Sequence, residues 1–250
     1  MVCMCTPLPG LLFIIHLPES KFTRLSMFFM PRPLAFSGSA ASNPLPLSVY
    51  KRVRFNTQNI ILASRSKVRK KILEENNIKC EIIPSNIDED SIKESLIKEK
   101  ATPEIISKNL AELKANKVSE KKNGKLVLGA DSIIDLNGEI VSKPSNREEA
   151  LIILQKLNGK KHHLISSVCI SKNGTMIWNH TDKASLTMKQ MKNEELKLYL
   201  AKIKDEALYA YNVYQIEGEG RSLFSKIEGD ENTIMGLPIK QIKEYLIKYE

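Results

Sequence analysis

Residues 126–135, in the middle of the chain, constrain the fold more than any other stretch. Their apolar side chains predict a buried strand that delivers Asp131 to a bend at Gly129–Ala130. An Asn-Gly turn follows, and a second strand is expected to bring Lys143 back to the same end of the sheet. A carboxylate and an ammonium at one end of a sheet suit metal-assisted phosphate chemistry, but an ordinary surface ion pair would give the same pattern.

Strands and helices alternate through the chain after residue 58. Apolar runs and helical periodicity predict strands at 59–63, 80–84 and 223–227, and helices at 67–76, 147–157, 193–201 and from Thr102–Pro103 onward. Residues 162–171 and 175–188, joined by Asn173–Gly174, predict a long β-hairpin. The alternation predicts an α/β fold with a mixed, twisted sheet flanked by helices and a ligand cleft at the strand ends.

The first 58 residues differ in composition from the remainder. They contain seven of the 11 prolines and show no periodic apolar pattern. A disordered tail, an organelle-targeting segment and translation from too early a start codon all fit this composition. The last is favoured, because the change in composition coincides with the first predicted strand. We therefore expect the functional domain to span residues 59–250.

Charge and cysteine usage narrow the class of protein. Of the net charge of +9, residues 1–58 contribute six basic side chains against one acidic side chain, which leaves 32 basic and 28 acidic side chains in the rest. This mildly basic part fits an anionic small ligand and does not require nucleic acid. The four cysteines form no framework, which predicts reduced thiols and a cytoplasmic location. No stretch approaches the ~20 apolar residues of a membrane span.

The segment that follows the first predicted strand has the features of a phosphate site. Ser64 and Ser66 lie between that strand and a helix, and Ser66 is a natural N-cap. Free N–H groups and the helix dipole favour an anion at such an N-terminus, and Arg69 adds positive charge nearby. A capped helix with a solvated basic face remains the alternative.

Two other segments carry charges whose role the residues alone leave open. The acidic loop at residues 86–90, which contains Glu89, can supply oxygen ligands to a metal or can simply be solvated. Lys114 flanks the apolar stripe of the long helix, where most lysines extend their ammonium group to solvent.

Six motifs, in order along residues 59–250, resemble the Maf family, the septum-formation-inhibitor-like nucleoside triphosphate pyrophosphatases. Five matches follow the family's short motifs: Ser-x-Ser-Pro-Arg-Arg at residues 64–69, Asp-Glu at 88–89, Leu-Ala-x-x-Lys-Ala at 110–115, Gly-Ala-Asp-Thr at 129–132 and Gly-Lys-Pro at 142–144. The sixth match is the family's C-terminal segment, at residues 214–238. The resemblance implies a fold like that of the Maf and inosine-triphosphatase enzymes. It also implies hydrolysis of nucleoside triphosphates to monophosphate and pyrophosphate, which keeps non-standard nucleotides out of nucleic acids and has a link to cell-division arrest.

The resemblance also implies a role for each matched side chain. Asp131 acts as base or water-orienting carboxylate, and Asp131 and Glu89 contact a Mg²⁺ or Mn²⁺ ion. The remaining roles are charge neutralisation by Lys114 and Lys143, triphosphate binding by Ser64, Ser66 and Arg69, and base selection by Ser132 and Glu217.

Departures from the family pattern bear on the substrate. Lys67 and Val68 replace the family's Pro and first Arg, and Glu217 stands where Gln is frequent. A Glu accepts from the N–H groups of guanine-type bases, which favours a purine or modified purine triphosphate, or broad specificity.

Two alternative functions remain: an inosine-triphosphatase-like enzyme with another base preference, and a non-catalytic cell-division regulator. The apolar lengths and the charge balance predict no membrane and no stable nucleic-acid partner, and a homodimer is left open.

Overall fold

One mixed sheet organises the part of the chain that the computed structural model describes, residues 59–205, 208 and 213–249. The predictions for residues 1–58, and the expected domain limits at 59 and 250, involve residues outside this part. The strands are β1 (Ile60–Leu62), β2 (Cys80–Ile82), β3 (Val127–Leu136), β4 (Glu139–Val141), β5 (Lys161–Lys172), β6 (Thr175–Met188) and β7 (Phe224–Glu228). The helices are α1 (Lys67–Glu75), α2 (Glu89–Lys98), α3 (Pro103–Ser119), α4 (Arg147–Leu157), α5 (Asn193–Lys202), α6 (Glu231–Ile234) and α7 (Ile239–Tyr249), with a 3₁₀ helix at Glu219–Leu223.

The sheet combines parallel and antiparallel pairs, as the sequence predicts. Its order is β2-β1-β3-β5-β6-β7, with β4 also paired to β3. β1 runs parallel to β2 and β3, whereas the β3–β4, β3–β5, β5–β6 and β6–β7 pairs are antiparallel. The predicted hairpin is confirmed as β5–β6, and its turn residues Asn173 and Gly174 have φ values of 52° and 81°. Both values suit the tight turn that an Asn-Gly pair favours.

β3 changes partner along one of its edges. Its start pairs with β1 through Val127 and Leu128, and its end pairs with β4 from Ile134 onward. Residues 129–133 lie between these two pairings, and in the described structure no strand covers them on that edge. On its other edge β3 pairs with β5 along the same stretch, so the gap leaves one edge of the β3 backbone uncovered next to Asp131 and Ser132.

Helices cover both faces of the sheet. On one face, Leu128 and Ala130 of β3 pack in a cluster with Ile72 of α1 and Ile242 of α7. On the opposite face α3 contacts β3, β5 and β6, with Ala111 and Ala115 against Cys169 of β5. α4 and α5 cover the sheet farther along, against a cluster that includes the end of β3.

The helix starts follow their capping residues. Ser66 accepts from the backbone N–H of Arg69 at 3.3 Å, and Thr102 caps α3 with Pro103 at the first helical position, as the sequence predicts. The acidic segment is wrong as a simple loop, because Asp88 caps a further helix and accepts from Ser91 N–H at 3.1 Å. Glu89 is therefore the first residue of α2 and is held by a helix.

The expected bend at Gly129–Ala130 is wrong, because both residues lie inside β3. The glycine is needed for another reason. A Cβ atom at position 129 would lie 2.1 Å from the carbonyl oxygen of Ala111 and 2.8 Å from the backbone N of Ala115. Gly129 thus allows α3 to approach the backbone of β3 closely, and this approach fixes where the side chains of α3 lie relative to Asp131.

We expect Gly129→Ala to destabilise the fold by about 3 kcal/mol, because α3 must move away from β3 to make room for the methyl group. Gly218→Ala is the matched control, since a Cβ there would lie no closer than 3.7 Å to any heavy atom. Urea denaturation measures both variants. Equal losses in the two would show that the close approach at Gly129 does not limit stability.

Candidate active site

A lysine from α3 joins two carboxylates at the gap beside β3. The Nζ atom of Lys114 lies 2.8 Å from Oδ1 of Asp131 and 2.9 Å from Oε2 of Glu89. The side chains of Lys114 and Asp131 are each only 7% exposed, whereas that of Glu89 is 41% exposed. Burial raises the pKa of the Glu89 carboxyl group, but the ammonium groups of Lys114, Lys93 and Lys143, with Lys114 first among them, together lower it below its ordinary value. The Lys114 side chain is therefore a buried ion-pair partner and does not extend to solvent.

Asp131 keeps one oxygen for other partners. Its Oδ1 atom accepts from Lys114, and its backbone oxygen accepts from the hydroxyl of Ser107 at 3.3 Å. Its Oδ2 atom is buried and has no hydrogen-bond partner in the described structure. A buried carboxylate oxygen without a partner is costly, and in native proteins such atoms mark a place where a ligand, ion or water completes the site.

Lys143 brings a second ammonium to the same place from the segment after β4. The side chain is exposed, yet neighbouring protein atoms displace water around the ammonium, and this lowers its pKa. Repulsion from Arg69 and Lys114 lowers it further, whereas attraction from Glu89 and Asp131 raises it. The prediction that the strand after the Asn-Gly turn returns a lysine to Asp131 therefore agrees with the electrostatic surroundings of Lys143.

Arg69 uses most of its donors inside the protein. Its Nε donates to the carbonyl oxygen of Gly236 at 2.9 Å, and one terminal nitrogen donates to the carbonyl oxygen of Ala130 at 2.8 Å and to Ser64 Oγ at 3.3 Å. The other terminal nitrogen donates to Ser132 Oγ at 3.0 Å. Burial lowers the pKa of the guanidinium, and attraction from Asp131 opposes that shift. Four of the five N–H groups are thus committed, and one is left for a ligand.

Two hydroxyl groups line the start of α1. Ser64 Oγ accepts from the backbone N–H of Ser66 at 3.2 Å and from Arg69, and Ser66 Oγ accepts from the backbone N–H of Arg69. Neither hydroxyl donates to an acceptor in the described residues. Both are half-buried, and their protons can point to an anion in front of the helix.

The two residues expected to select the base lie in different surroundings. Ser132 follows Asp131 on β3, so its side chain projects from the opposite face, where it contacts Arg69 and the hydroxyl of Ser166 at 2.9 Å. Glu217 is exposed and accepts from the side-chain amide of Gln215 at 3.1 Å. No described contact joins Glu217 to the other site residues. A cavity of about 680 Å³ beside it is lined by Lys202, Ile203, Lys204, Gln215, Gly218, Glu219, Arg221 and Ser222, and Asp131 is not among them.

The carboxylates suit a hard divalent cation. In the described ranges no group of three or more His, Cys, Asp and Glu side chains is placed to hold a metal. However, Asp131 and Glu89 share one ammonium, and Oδ2 of Asp131 is unsatisfied. Mg²⁺ usually keeps several waters and binds through one or two carboxylates together with substrate phosphates. The residues present therefore fit such an ion when a triphosphate supplies further oxygens.

Sequence reasoning missed several residues that support this cluster. Gly236 lies 167 positions after Arg69 yet accepts its Nε–H, and Ser166 reaches Ser132 from β5. Gly236 lies within the matched C-terminal segment, but nothing there marks it as the acceptor of Arg69, and no local pattern marks Ser166. Ser166 is identified only from the β3–β5 register, which places it opposite Ser132.

We expect Lys114→Met to destabilise the protein by about 3–5 kcal/mol, because it leaves the buried Asp131 carboxylate without its cation. Lys226→Met is the control, since its ion pair with Glu228 at 2.8 Å joins two side chains that are more than 40% exposed and contributes at most about 1 kcal/mol. Chemical denaturation measures both. Similar losses in the two variants would contradict a buried, structurally required ion pair.

Comparison with known proteins places the chain among nucleotide hydrolases. The family described as Maf-like protein matches residues 59–249. A nucleoside triphosphate pyrophosphatase of Pelagibacter ubique is 73% identical over 189 residues, which is 76% of this chain and 97% of the relative. A nucleoside triphosphate pyrophosphatase of Roseobacter denitrificans is 38% identical over 76% of this chain and 95% of its own length. A 7-methyl-GTP pyrophosphatase of Brucella abortus is 39% identical over 73% of this chain and 92% of its own length.

A solved HAM1 protein from Coxiella burnetii is only 14% identical, with a TM-score of 0.36 over 54% of this chain and 75% of that one, and is too remote to add to the argument.

Proposed function

This chain belongs to the Maf family, and we propose that it hydrolyses nucleoside triphosphates between the α- and β-phosphates, releasing a monophosphate and pyrophosphate. One observation carries the proposal. At the gap beside β3, Asp131 is fixed through Oδ1 by Lys114 while Oδ2 is left without a partner. An oriented carboxylate with one free oxygen, surrounded by cations, is suited to activating water next to a phosphate chain.

The start of α1 binds the triphosphate in this proposal. The hydroxyls of Ser64 and Ser66 donate to phosphate oxygens, and the helix N-terminus adds its dipole. Arg69 contributes its remaining N–H group and its charge, but its larger effect is to hold Ser64 and Ser132 in place. Removing Arg69 would therefore disturb the site's geometry as well as its charge.

The chemical step needs a base and charge neutralisation. A water molecule attacks the α-phosphorus and gives its proton to Oδ2 of Asp131, while the bond from the α-phosphorus to the bridging oxygen breaks. The electron pair of that bond leaves with pyrophosphate, whose growing charge Lys143 neutralises. Lys114 keeps the Asp131 carboxylate from rotating, because it binds Oδ1 firmly in a buried place.

A divalent cation, Mg²⁺ or Mn²⁺, completes the proposed site. Glu89 would hold it directly, in line with the lowered pKa that keeps this carboxyl ionised, and Asp131 would contact it through one of the waters that such an ion keeps, which leaves Oδ2 free to accept the proton. When bound, such an ion neutralises phosphate charge and polarises the reacting phosphoryl group. Its identity follows from assays in which each metal is added separately to chelator-treated enzyme.

The proposed substrate is a triphosphate with a purine or modified purine base. Val68, which stands where the family has an arginine, is buried against the core and offers the base no charge. Glu217 is exposed and offers only acceptors, which suits the N–H edge of guanine-type bases. A relative of similar length is named 7-methyl-GTP pyrophosphatase, which agrees with a modified guanine. Removal of such nucleotides would keep them out of nucleic acids.

A few expectations remain predictions. Among the helices that the structure describes, none has the length and apolar character needed to cross a membrane. The cytoplasmic location, a homodimer, the absence of stable nucleic-acid binding and the link to cell-division arrest await experiment.

The function is tested by assaying pyrophosphate release from a panel of natural and modified triphosphates, with and without Mg²⁺. We expect Mg²⁺-dependent release, with guanine-type bases among the preferred substrates. A best substrate such as inosine triphosphate would point to the other base preference. No release from any triphosphate would contradict the proposal and favour a non-catalytic regulator.

We expect Asp131→Asn to abolish pyrophosphate release while the fold persists, because the amide cannot accept the proton of the attacking water. Asp135→Asn is the matched control, since Asp135 is buried on the same strand but accepts from the backbone N–H of Gly138 at 2.6 Å. Circular dichroism verifies the fold of both variants. Turnover by Asp131→Asn close to that of the wild type would remove Asp131 from its role.

We expect Lys143→Ala to lower kcat by about 10²-fold or more, as does the loss of one charge contact in the transition state. Lys160→Ala, at an exposed lysine just before β5, should leave kcat unchanged. Steady-state kinetics of pyrophosphate release give kcat for both variants and the wild type. A decrease of only a few-fold would make Lys143 peripheral to the reaction.

A further inference from the structure

Ser166 lies directly beside the proposed substrate-binding residue Ser132 but has no role in the reaction described above. It is fully buried on β5, where the antiparallel register places it opposite Ser132 on β3. The two hydroxyl oxygens lie 2.9 Å apart, and from this distance alone either serine can be the donor of the hydrogen bond. The direction of this hydrogen bond decides what Ser132 can offer to a substrate.

The direction follows from counting protons. A serine hydroxyl has one proton and two lone pairs. Ser166 Oγ lies 2.7 Å from the backbone carbonyl oxygen of Thr233, and because a carbonyl oxygen only accepts, Ser166 must donate its proton there. Ser132 must then be the donor to Ser166. It also accepts from Arg69 at 3.0 Å, which leaves Ser132 with no free proton and one free lone pair.

The acceptor that takes the Ser166 proton is itself held in place. Asp230 caps α6 and accepts from the backbone N–H of Thr233 at 3.2 Å. The hydroxyl of Thr233 donates to Oδ2 of Asp182 on β6 at 2.7 Å. The carbonyl oxygen of Thr233 thus has a fixed position in front of Ser166, and a contact of 2.7 Å between two oxygens requires the Ser166 proton between them.

We infer that Ser166 is a positioning residue that makes Ser132 an acceptor-only group, so that the part of the substrate that meets Ser132 is an exocyclic amine of the base. This inference rests on the proposed function, with Ser132 taken to select the base as the family resemblance implies. Ser132 is half-buried, so a ligand can reach it. An amine donates to the free lone pair of Ser132, whereas a carbonyl oxygen would place two lone pairs against each other. The site therefore selects amine-bearing bases through a residue that the substrate never touches.

The test compares substrates that exchange one exocyclic amine for a carbonyl oxygen: GTP with xanthosine triphosphate, and CTP with UTP. For each pair, kcat/KM is measured as pyrophosphate release by the full chain and by Ser166→Ala. In the wild type the amine-bearing member is preferred. In Ser166→Ala the proton of Ser132 becomes free to donate to a carbonyl, and the preference falls on the order of tenfold in at least one pair.

Ser171→Ala is the matched control. Ser171 is also a fully buried serine on β5, and its hydroxyl donates to the side chain of Asn116 at 2.7 Å, far along the strand from Ser132. It should change stability as Ser166→Ala does but leave the amine-to-carbonyl ratio of kcat/KM unchanged. If Ser166→Ala fails to fold, Ser166→Cys preserves the shape, and its weaker thiol donor gives a smaller shift of the ratio in the same direction.

The outcomes separate this inference from the proposed function. A wild-type chain that releases pyrophosphate from no triphosphate overturns the proposed function and, with it, this inference. If the wild type is active, an amine preference that falls in Ser166→Ala and not in Ser171→Ala supports the positioning role. A Ser166→Ala variant that slows all substrates equally, or a wild type without amine preference, overturns it.

Discussion

The close approach of α3 to β3 is the constraint on which the rest of the site depends. It exists because position 129 has no side chain, so the backbone of Ala111 can lie against the strand. From that depth Lys114 reaches Asp131 at 2.8 Å and is nearly excluded from solvent. A buried ion pair adds little net stability compared with apolar packing, but it is costly to break, so the pair fixes orientation more than it strengthens the fold.

Much of the fold could be predicted because its signals are local. The start of α1 follows from Ser66, that of α3 from Thr102, and the β5–β6 turn from Asn173–Gly174, since each depends on neighbours only a few residues away. α2 escaped prediction although Asp88 carried the cap signal, because its ten residues include only three large apolar side chains and follow an acidic run that resembles a solvated loop. The mixed sheet followed from the alternation of strands and helices.

The site was predictable where a motif carried the chemistry, and less so where packing did. Asp131 and Lys114 were identified as charged groups, yet only the structure shows one ammonium binding two carboxylates. The pattern Gly-Ala before Asp131 looked like a bend, since a glycine has the same appearance in sequence whether it serves a turn or a close helix contact. Two of the four acceptors of Arg69 are backbone carbonyl oxygens of distant segments, and the side chains of those segments do not predict them.

The partner change along β3 also bears on the order in which the protein folds. The β5–β6 hairpin closes over a short turn, whereas β1 reaches β3 by pairing Ile61 with Val127 across α1, β2, α2 and α3. Because closing a long loop costs more chain entropy, the hairpin should form early and the β1–β3 ladder late. The carboxylate on β3 and the turn after β1, where we propose that phosphate binds, meet only when that last ladder forms. A partly folded chain therefore lacks the proposed active site, which is complete only in the native fold.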